Sequence, residues 1–385
     1  MDTVRLGVIG CGGMFRYHAK YFPTIQGLRF TAGCDIDPAA LQFAVETYGV
    51  KGFADGHALL DSGLVDAVLI ATPHYFHPVY AQAALERGIH VLTEKPVAVT
   101  VKAAEEVNRC HARHPRALYA AMFNQRTYPA WRKVKELIDT GELGELVRIN
   151  WIVTSWYRPQ AYYNSGGWRA TWAGEGGGVL INQCPHNLDL LQWFAGLPSR
   201  ITAVVGIAKH HHMETEDEVS AILEYPNGAT GVFITSTGES PGANRLEICG
   251  DKATLITDGG EHLRLLRNTT AASEFTRTAT SAFTRPDYVE TTIHVGAEHP
   301  DHPMVTQNFI DAIRLGTPLL ARGEEGLRSL ELSNAMLMSG LTGKPVDLPT
   351  DREAYDTLLR ELAAKSAFRK EDVRTRPPTV AWTVH

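Results

Sequence analysis

Three groups of residues in this chain combine types and spacings that can do chemistry. The first is "GVIGCGGMF", residues 7–15, which follows the apolar run from Val4. A glycine-rich turn between a strand and a helix lets backbone N–H groups approach a pyrophosphate. Gly10 is placed to make the tight turn and Gly12 to allow the close approach. The third small residue of G-x-G-x-x-G is missing, and Phe15 stands in its place. Asp35 ends the next apolar run, "RFTAGCD". A carboxylate there accepts from a ribose 2′-hydroxyl and repels a 2′-phosphate, so NAD is expected over NADP.

The second group is "TEKP" together with "EGGGVLINQCPHNLDLLQWFAG". Glu94, Lys95 and Pro96 fall at the C-terminal end of a strand, the edge where open α/β sheets bind ligands. A lysine there can polarise or deprotonate a hydroxyl, and a neighbouring nicotinamide cation lowers its pKa. In the longer segment Leu180, Cys184, Leu188 and Leu191 make an apolar stripe. Asn182, His186 and Asp189 fall at i, i+4 and i+7, a spacing that turns all three one way on a continuous helix. Pro185 either kinks that helix or starts a new one. His186 suits a general base. No third ligand accompanies His186 and Asp189 at a recognised spacing, so no metal site is expected.

The third group is the loop "WYRPQAYYNSGGWRATW". It carries Tyr157, Arg158, Tyr162, Tyr163, Trp168, Arg169 and Trp172. Rings stack on sugar faces, and guanidinium binds hydroxyls or a carboxylate; the same loop could equally be a packed inter-domain or subunit contact. His210, His211 and His212 in "KHHHME" read as a polar run at a strand end rather than a metal tract.

The elements needed to hold these groups follow from the pattern. Strand and helix alternate five times within residues 4–125: "VRLGVI", "RFTAGCD", "DAVLIAT", "IHVLTEKP" and "LYAAMFN" are the strands. Such alternation gives a parallel sheet covered on both faces. Asp37, Pro38 and Gly49 mark the N-cap, N1 and end of one helix. Beyond the helix "YPAWRKVKELIDTG" the period changes to two, with "PNG" as a hairpin turn. Residues 150–300 read as a mostly antiparallel sheet carrying one long helical insert, and 303–340 return to helical period. The tail "RTRPPTVAWTVH" reads as extended or docked on the surface. The domains expected are residues 1–125, residues 126–350 and an extension over 351–385.

The chain has 385 residues, 44% apolar and 21% charged, with net charge −6. That length suggests two domains. Without a basic patch, nucleic acid is not an expected partner. No apolar run approaches the ~20 residues of a membrane span, so no membrane contact is expected. The five cysteines are scattered and never C-x-x-C, which argues against a disulfide framework or zinc site. With no signal-peptide pattern at the N-terminus, a cytoplasmic protein is expected.

"GVIGCGG", "CDIDP", "ATPHYFH", "EKP" and "EGGGVLINQCPHNLDLLQW", in that order, resemble the glucose-fructose oxidoreductase / inositol dehydrogenase / rhizopine catabolism (Gfo/Idh/MocA) family over residues 4–348. The resemblance implies an α/β N-terminal Rossmann domain plus an α+β C-terminal domain with a large, mainly antiparallel open sheet. Substrate would lie between them. It implies cofactor contacts from Gly10, Gly12, Gly13, Met14, Phe15, Asp35 and Ile36, from Ala71, Thr72, Pro73, His74 and His77, and from Glu94, Lys95 and Asn124. It implies catalysis by Lys95 and His186. Arg126, Tyr157, Arg158, Tyr163, Trp168, Arg169 and Asn182 join Lys95 and His186 around the substrate. Many members carry Asp where this chain has Asn182, and an amide exchanges no proton at ordinary pH. The reading is an NAD(P)-dependent dehydrogenase of a sugar, cyclic polyol or glycoside. One alternative is glycoside cleavage by transient oxidation with tightly bound NAD; another is a non-catalytic sugar or NAD sensor. An open sheet face favours a homodimer or homotetramer.

Overall fold

The computed structural model describes residues 2–367; the tail "RTRPPTVAWTVH" lies outside the described residues. Strands β1 (Val4–Ile9), β2 (Leu28–Cys34), β3 (Lys51–Phe53), β4 (Ala67–Ile70), β5 (His90–Thr93) and β6 (Tyr119–Ala121) form one sheet. Its order is β3-β2-β1-β4-β5-β6, and every pairing is parallel. All four residues of β4 are buried, as a strand covered by helices on both faces requires. The strand order reverses between β1 and β4, which opens a crevice at their C-terminal ends. The sequence reading missed β3. It is only three residues, "KGF", with a glycine in the middle, so no alternation is visible. The strand "LYAAMFN" is therefore the sixth.

The second sheet contains β7 (Leu146–Val153), β8 (Arg200–Ile207), β9 (Glu216–Glu224), β10 (Thr230–Ser236), β11 (Asn244–Gly250), β12 (Ala253–Thr257), β13 (His262–Asn268), β14 (Tyr288–His294) and β15 (Val346–Asp347). Their order is β14-β13-β12-β11-β7-β10-β9-β8-β15. All pairings are antiparallel except β7 with β10. One face carries Trp151, Phe233 and Leu246 into a core shared with the helices Pro185–Ala195 and Gly326–Thr342. On the other face Val204 and Ile222 are exposed. The helix Arg352–Ala364 packs Tyr355 and Leu359 onto that shared core, and the helix Asp301–Leu315 returns to the first domain through Val305, Phe309 and Ile310.

The expected single helical insert is broken into Gln160–Asn164, Val179–Asn182 and Pro185–Ala195. Pro185 is the first residue of the last piece, where its missing N–H costs nothing. The glycines before Val179 reflect crowding: a Cβ on Gly178 would stand 1.9 Å from the Glu216 carbonyl oxygen. The Glu216 carboxylate then accepts from the N–H groups of Gly178 and Leu180 at 2.8 and 3.1 Å.

The break separates Asn182 from the helix that carries both His186 and Asp189. The Asp189 carboxylate takes a two-pronged bond from Arg126, at 2.7 Å from Nε and 2.6 Å from Nη2. Arg126 is 3% exposed and also pairs with Glu325. The structure thus corrects two expectations. Arg126 is a buried clamp between the junction of the two domains and the helix Pro185–Ala195, not a free pocket residue, and Asp189, on the same helix as His186, is taken up by that clamp and is not on one helix with Asn182. Replacing one member of such a pair leaves the other charge buried. Arg126→Met should cost about 3–5 kcal/mol of stability, and Arg126→Lys, which loses the fork, should recover only part of it. Urea unfolding monitored by circular dichroism checks both; an unchanged midpoint for Arg126→Met would refute the clamp.

Candidate active site

The crevice at the reversal of strand order is built first by glycine. Gly10 has φ +97°, and a Cβ there would lie 2.6 Å from the Ala71 carbonyl. At Gly12 and Gly13 a Cβ would meet nothing within 4 Å, so open space lies directly over the backbone. No side chain caps the helix Gly13–Ala19 that starts there. Asp35 accepts from the N–H of Cys11 at 2.6 Å and of Asp37 at 2.8 Å, which ties the glycine loop to the end of β2. Ile36 beside it is 87% exposed, and Met14 is 40% exposed. Phe15 is different: its ring is fully buried against Phe30 and Tyr48, so only its backbone could face a cofactor. The ring also fills the space that the missing third glycine would have left for close packing.

Across the crevice the Thr72 hydroxyl is buried without a partner among the described residues. An orphaned donor-acceptor beside an open glycine cradle fits a polar dinucleotide. His77 does not face that space. Its ring spans the carbonyls of Pro96 and Thr72, 2.7 Å from each, and joins two loops. His74 lies under Trp168, ring centroids 5.2 Å apart, with Nδ1 3.4 Å from the Glu175 carbonyl.

Lys95 occupies the seam between the two sheets. Its Nζ donates to the backbone carbonyl of Asn182 at 2.6 Å. Burial lowers its pKa, opposed by Glu94 and Glu175 and assisted by Arg169 and Arg158. His186 is 8% exposed, and its Nδ1 is buried without a partner among the described residues. Burial first, then Lys95 and His302, bring its pKa down to about 3, so the ring is neutral at any ordinary pH.

Asn182 is the hub. Its amide donates to the Glu175 carboxylate, and its Oδ1 accepts from the Tyr162 hydroxyl at 3.3 Å. That hydroxyl accepts from Arg169 at 2.9 Å and Gln183 at 3.2 Å. Tyr163 turns the other way: it is buried and its hydroxyl donates to Thr237 at 2.7 Å. Tyr157 is half exposed, and Trp168 and Arg169 stack with centroid distance 4.6 Å. In the histidine tract, the Asp217 carboxylate accepts backbone N–H bonds from Lys209, His210 and His211.

Behind Lys95, Glu94 is buried with its Oε1 2.6 Å from His18 Nε2 and 3.9 Å from His302 Nε2. Burial alone would raise the Glu94 pKa, but His18 and His302 outweigh it and hold the carboxyl near 2. The three ligand atoms lie within 4.8 Å of one another, a span that could hold a metal ion. The 2.6 Å contact is a hydrogen bond, however, shorter than the roughly 3.3 Å between ligands sharing a tetrahedral zinc. Asn124 donates to Asp301, which stands 2.9 Å from His302 Nδ1 and accepts from Tyr17 at 2.6 Å. Sequence reasoning did not single out His18, Glu175, Glu216, Asp301 or His302. Only Glu175, heading "EGGG", carried a local signal.

Residues 4–122 match the family described as "Oxidoreductase family, NAD-binding Rossmann fold", and residues 131–256 match the "GFO/IDH/MocA C-terminal domain". A 1-carboxy-3-chloro-3,4-dihydroxycyclohexa-1,5-diene dehydrogenase of Comamonas testosteroni is 33% identical over 232 residues, 58% of this chain and 56% of that protein. An inositol 2-dehydrogenase of Burkholderia lata is 30% identical over 231 residues, 59% of this chain and 65% of its own. The chain thus spans somewhat under two thirds of the length of these relatives. A WlbA dehydrogenase from Bordetella pertussis, solved in complex with NADH and UDP-GlcNAcA, superposes with TM-score 0.74 at 26% identity, covering 91% of this chain and all of that one.

The amide at Asn182 has a physical reason. A carboxylate there would face Glu175, and two carboxylates in contact cannot both ionise cheaply. Asn182→Asp should therefore raise the pKa of a carboxyl in the folded state. Its destabilisation relative to the parent should be small near pH 4 and grow as pH rises through the raised folded pKa. Thermal melts of both proteins from pH 4 to 8 measure this; a constant difference would contradict it.

Proposed function

The chain belongs to the Gfo/Idh/MocA oxidoreductase family, and from that premise we propose that it oxidises a secondary alcohol of a sugar, cyclic polyol or glycoside with NAD. The observation that carries the reading is a neutral His186 set beside Lys95, whose ammonium bonds the Asn182 carbonyl where the Rossmann crevice meets the second domain. Both named relatives are dehydrogenases of hydroxylated six-membered rings, which supports the substrate class.

A nicotinamide dinucleotide held by the Gly10–Gly13 loop, Asp35 and Thr72 would supply the hydride acceptor. Lys95 donates from Nζ to the substrate oxygen and orients it. The Asn182 carbonyl and Glu94 fix where that ammonium can point. His186, neutral, accepts the hydroxyl proton as the carbonyl forms. The aromatic loop excludes water above them. Orientation of this kind supplies up to ~7–11 kcal/mol in well-aligned systems.

Lys95→Ala should lower kcat by on the order of 10²–10⁴-fold while NADH binding, read by fluorescence, is retained. The pH profile of kcat/KM should show no limb near the ordinary histidine value of ~6.5. With its pKa near 3, His186 is already unprotonated there. The alkaline limb should fall below ~10.4, where lysine ordinarily titrates, because burial favours the loss of the Lys95 proton. A limb near 6.5 that disappears in His186→Asn would overturn the role given to burial. Sugar release from a glycoside without NADH accumulation would shift the reading to glycoside cleavage.

Cofactor choice rests on Asp35. The parent should use NAD better than NADP, and Asp35→Ser should narrow that ratio by relieving repulsion of the 2′-phosphate. Comparing kcat/KM for both cofactors decides it; a parent preference for NADP would remove Asp35 from that role.

A further inference from the structure

We propose that the substrate carries a carboxylate, and that Arg158 and Arg169 on the aromatic loop bind it. This deepens the dehydrogenase reading and rests on it. Neither guanidinium has a carboxylate partner among the described residues. Among the described residues Arg169 Nη1 bonds only the Tyr162 hydroxyl, and its guanidinium carbon lies over the rings of Tyr162 and Trp168 at 4.8 and 4.6 Å. Among the described residues, Arg158 Nη1 reaches only its neighbour's carbonyl at 2.9 Å, and its Nε is buried without a partner. Arg158 also stacks on Tyr162, at 5.3 Å, so one ring carries both cations.

Two guanidiniums gathered on one tyrosine repel each other and lower the charge tolerance of Lys95 nearby. Such an arrangement is favourable once an anion sits between them, because charge-assisted and two-pronged bonds to a carboxylate are strong. The loop is held ready for it. The Arg158 N–H donates to the Thr237 carbonyl at 2.9 Å, and the Arg158 carbonyl lies 2.7 Å from His211 Nε2. His211 is in turn 3.0 Å from the Asp217 carboxylate. This gives the histidine tract a use: its middle residue pins the backbone of Arg158.

The position sets the kind of anion. Only Tyr162 and Asn182 separate Arg169 from Lys95, through contacts of 2.9, 3.3 and 2.6 Å. The anionic group must then sit on or next to the ring that carries the reacting alcohol. A ring carboxylate, as in a uronic acid or a carboxylated cyclic diol, meets that requirement.

The test compares glucuronate and galacturonate with glucose and galactose, using NAD and following NADH. At least one acid should exceed its neutral counterpart in kcat/KM by 100-fold or more. Arg169→Gln should raise KM for the acid at least tenfold more than it raises KM for the neutral sugar, with Arg158→Gln as the second variant and Arg169→Lys recovering only part. Equal or better use of the neutral sugars would overturn the carboxylate assignment and leave the dehydrogenase reading intact. NADH formation from none of the four would count against the dehydrogenase reading instead. In that case the melting temperature of the NADH-loaded protein decides the carboxylate: a rise with glucuronate or galacturonate that Arg169→Gln abolishes supports it, and no difference between acids and neutral sugars overturns it.

Discussion

Lys95 is a cation partly withdrawn from water at the meeting of two sheets, and the surrounding structure makes that tolerable. An ammonium buried alone would lose its proton. Here its nearest oxygen is a backbone carbonyl, that of Asn182, at 2.6 Å. The carbonyl is available because the helical insert breaks after Asn182, so its oxygen is not consumed by a continuous helix. The break in turn needs Pro185 at a helix start and the crowded glycines before Val179. One partly buried charge is thus linked through the Asn182 carbonyl to the break in the helical insert.

The same charge organises the groups behind it. Glu94, adjacent in sequence, stays ionised although buried, because His18 and His302 face it. His302 is held by Asp301. Burial there also opposes ionisation, and His302, Tyr17 and Asn124 outweigh it to keep the carboxyl below its usual range. These residues come from the first helix, the end of β5, the domain junction and a helix near residue 301. Their network therefore joins the Rossmann crevice to the returning C-terminal segment. It also separates roles: Glu94 serves the electrostatics of Lys95 rather than presenting a free carboxylate to a substrate.

The alternation of strands and helices was legible because buried parallel strands and capped helices leave strong local marks. Asp37, Pro38 and Gly49 sit at the N-cap, N1 and left-handed end of their helix, as read. The strand "KGF" was not legible, since three residues cannot show a period. Lys95 and His186 stood out by residue type and place in the pattern. The shared face of Asn182, His186 and Asp189 failed for a definite reason. Helical spacing holds only on an unbroken helix, and the break before Pro185 takes Asn182 off the helix of His186 and Asp189; the partner that claims Asp189 is Arg126, 63 residues away. His18, Asp301 and His302 were invisible for the same cause: their meaning lies in pairings across up to 284 residues, which no local pattern records.

The aromatic loop shows how specificity can be added without disturbing that framework. One anchor to the Asn182 hub is the phenol of Tyr162, which accepts from Arg169 and Gln183 and donates to Asn182, and another is the Ala170 N–H, which donates to the Glu175 carboxylate that Asn182 also bonds. The loop's outer edge is fixed by Asp217 and His211 from the second sheet. Stacking on Tyr162, Trp156 and Trp168 limits the rotamers open to both arginines, so less entropy is lost when they engage a ligand. In the proposed mechanism the hub would be indifferent to what the loop recognises, because Lys95 and His186 would address only the reacting carbinol. Exchanging charges on the loop should therefore alter which ring is accepted before it alters how that ring is oxidised, and the amide at Asn182 keeps the two functions apart by adding no further charge between them.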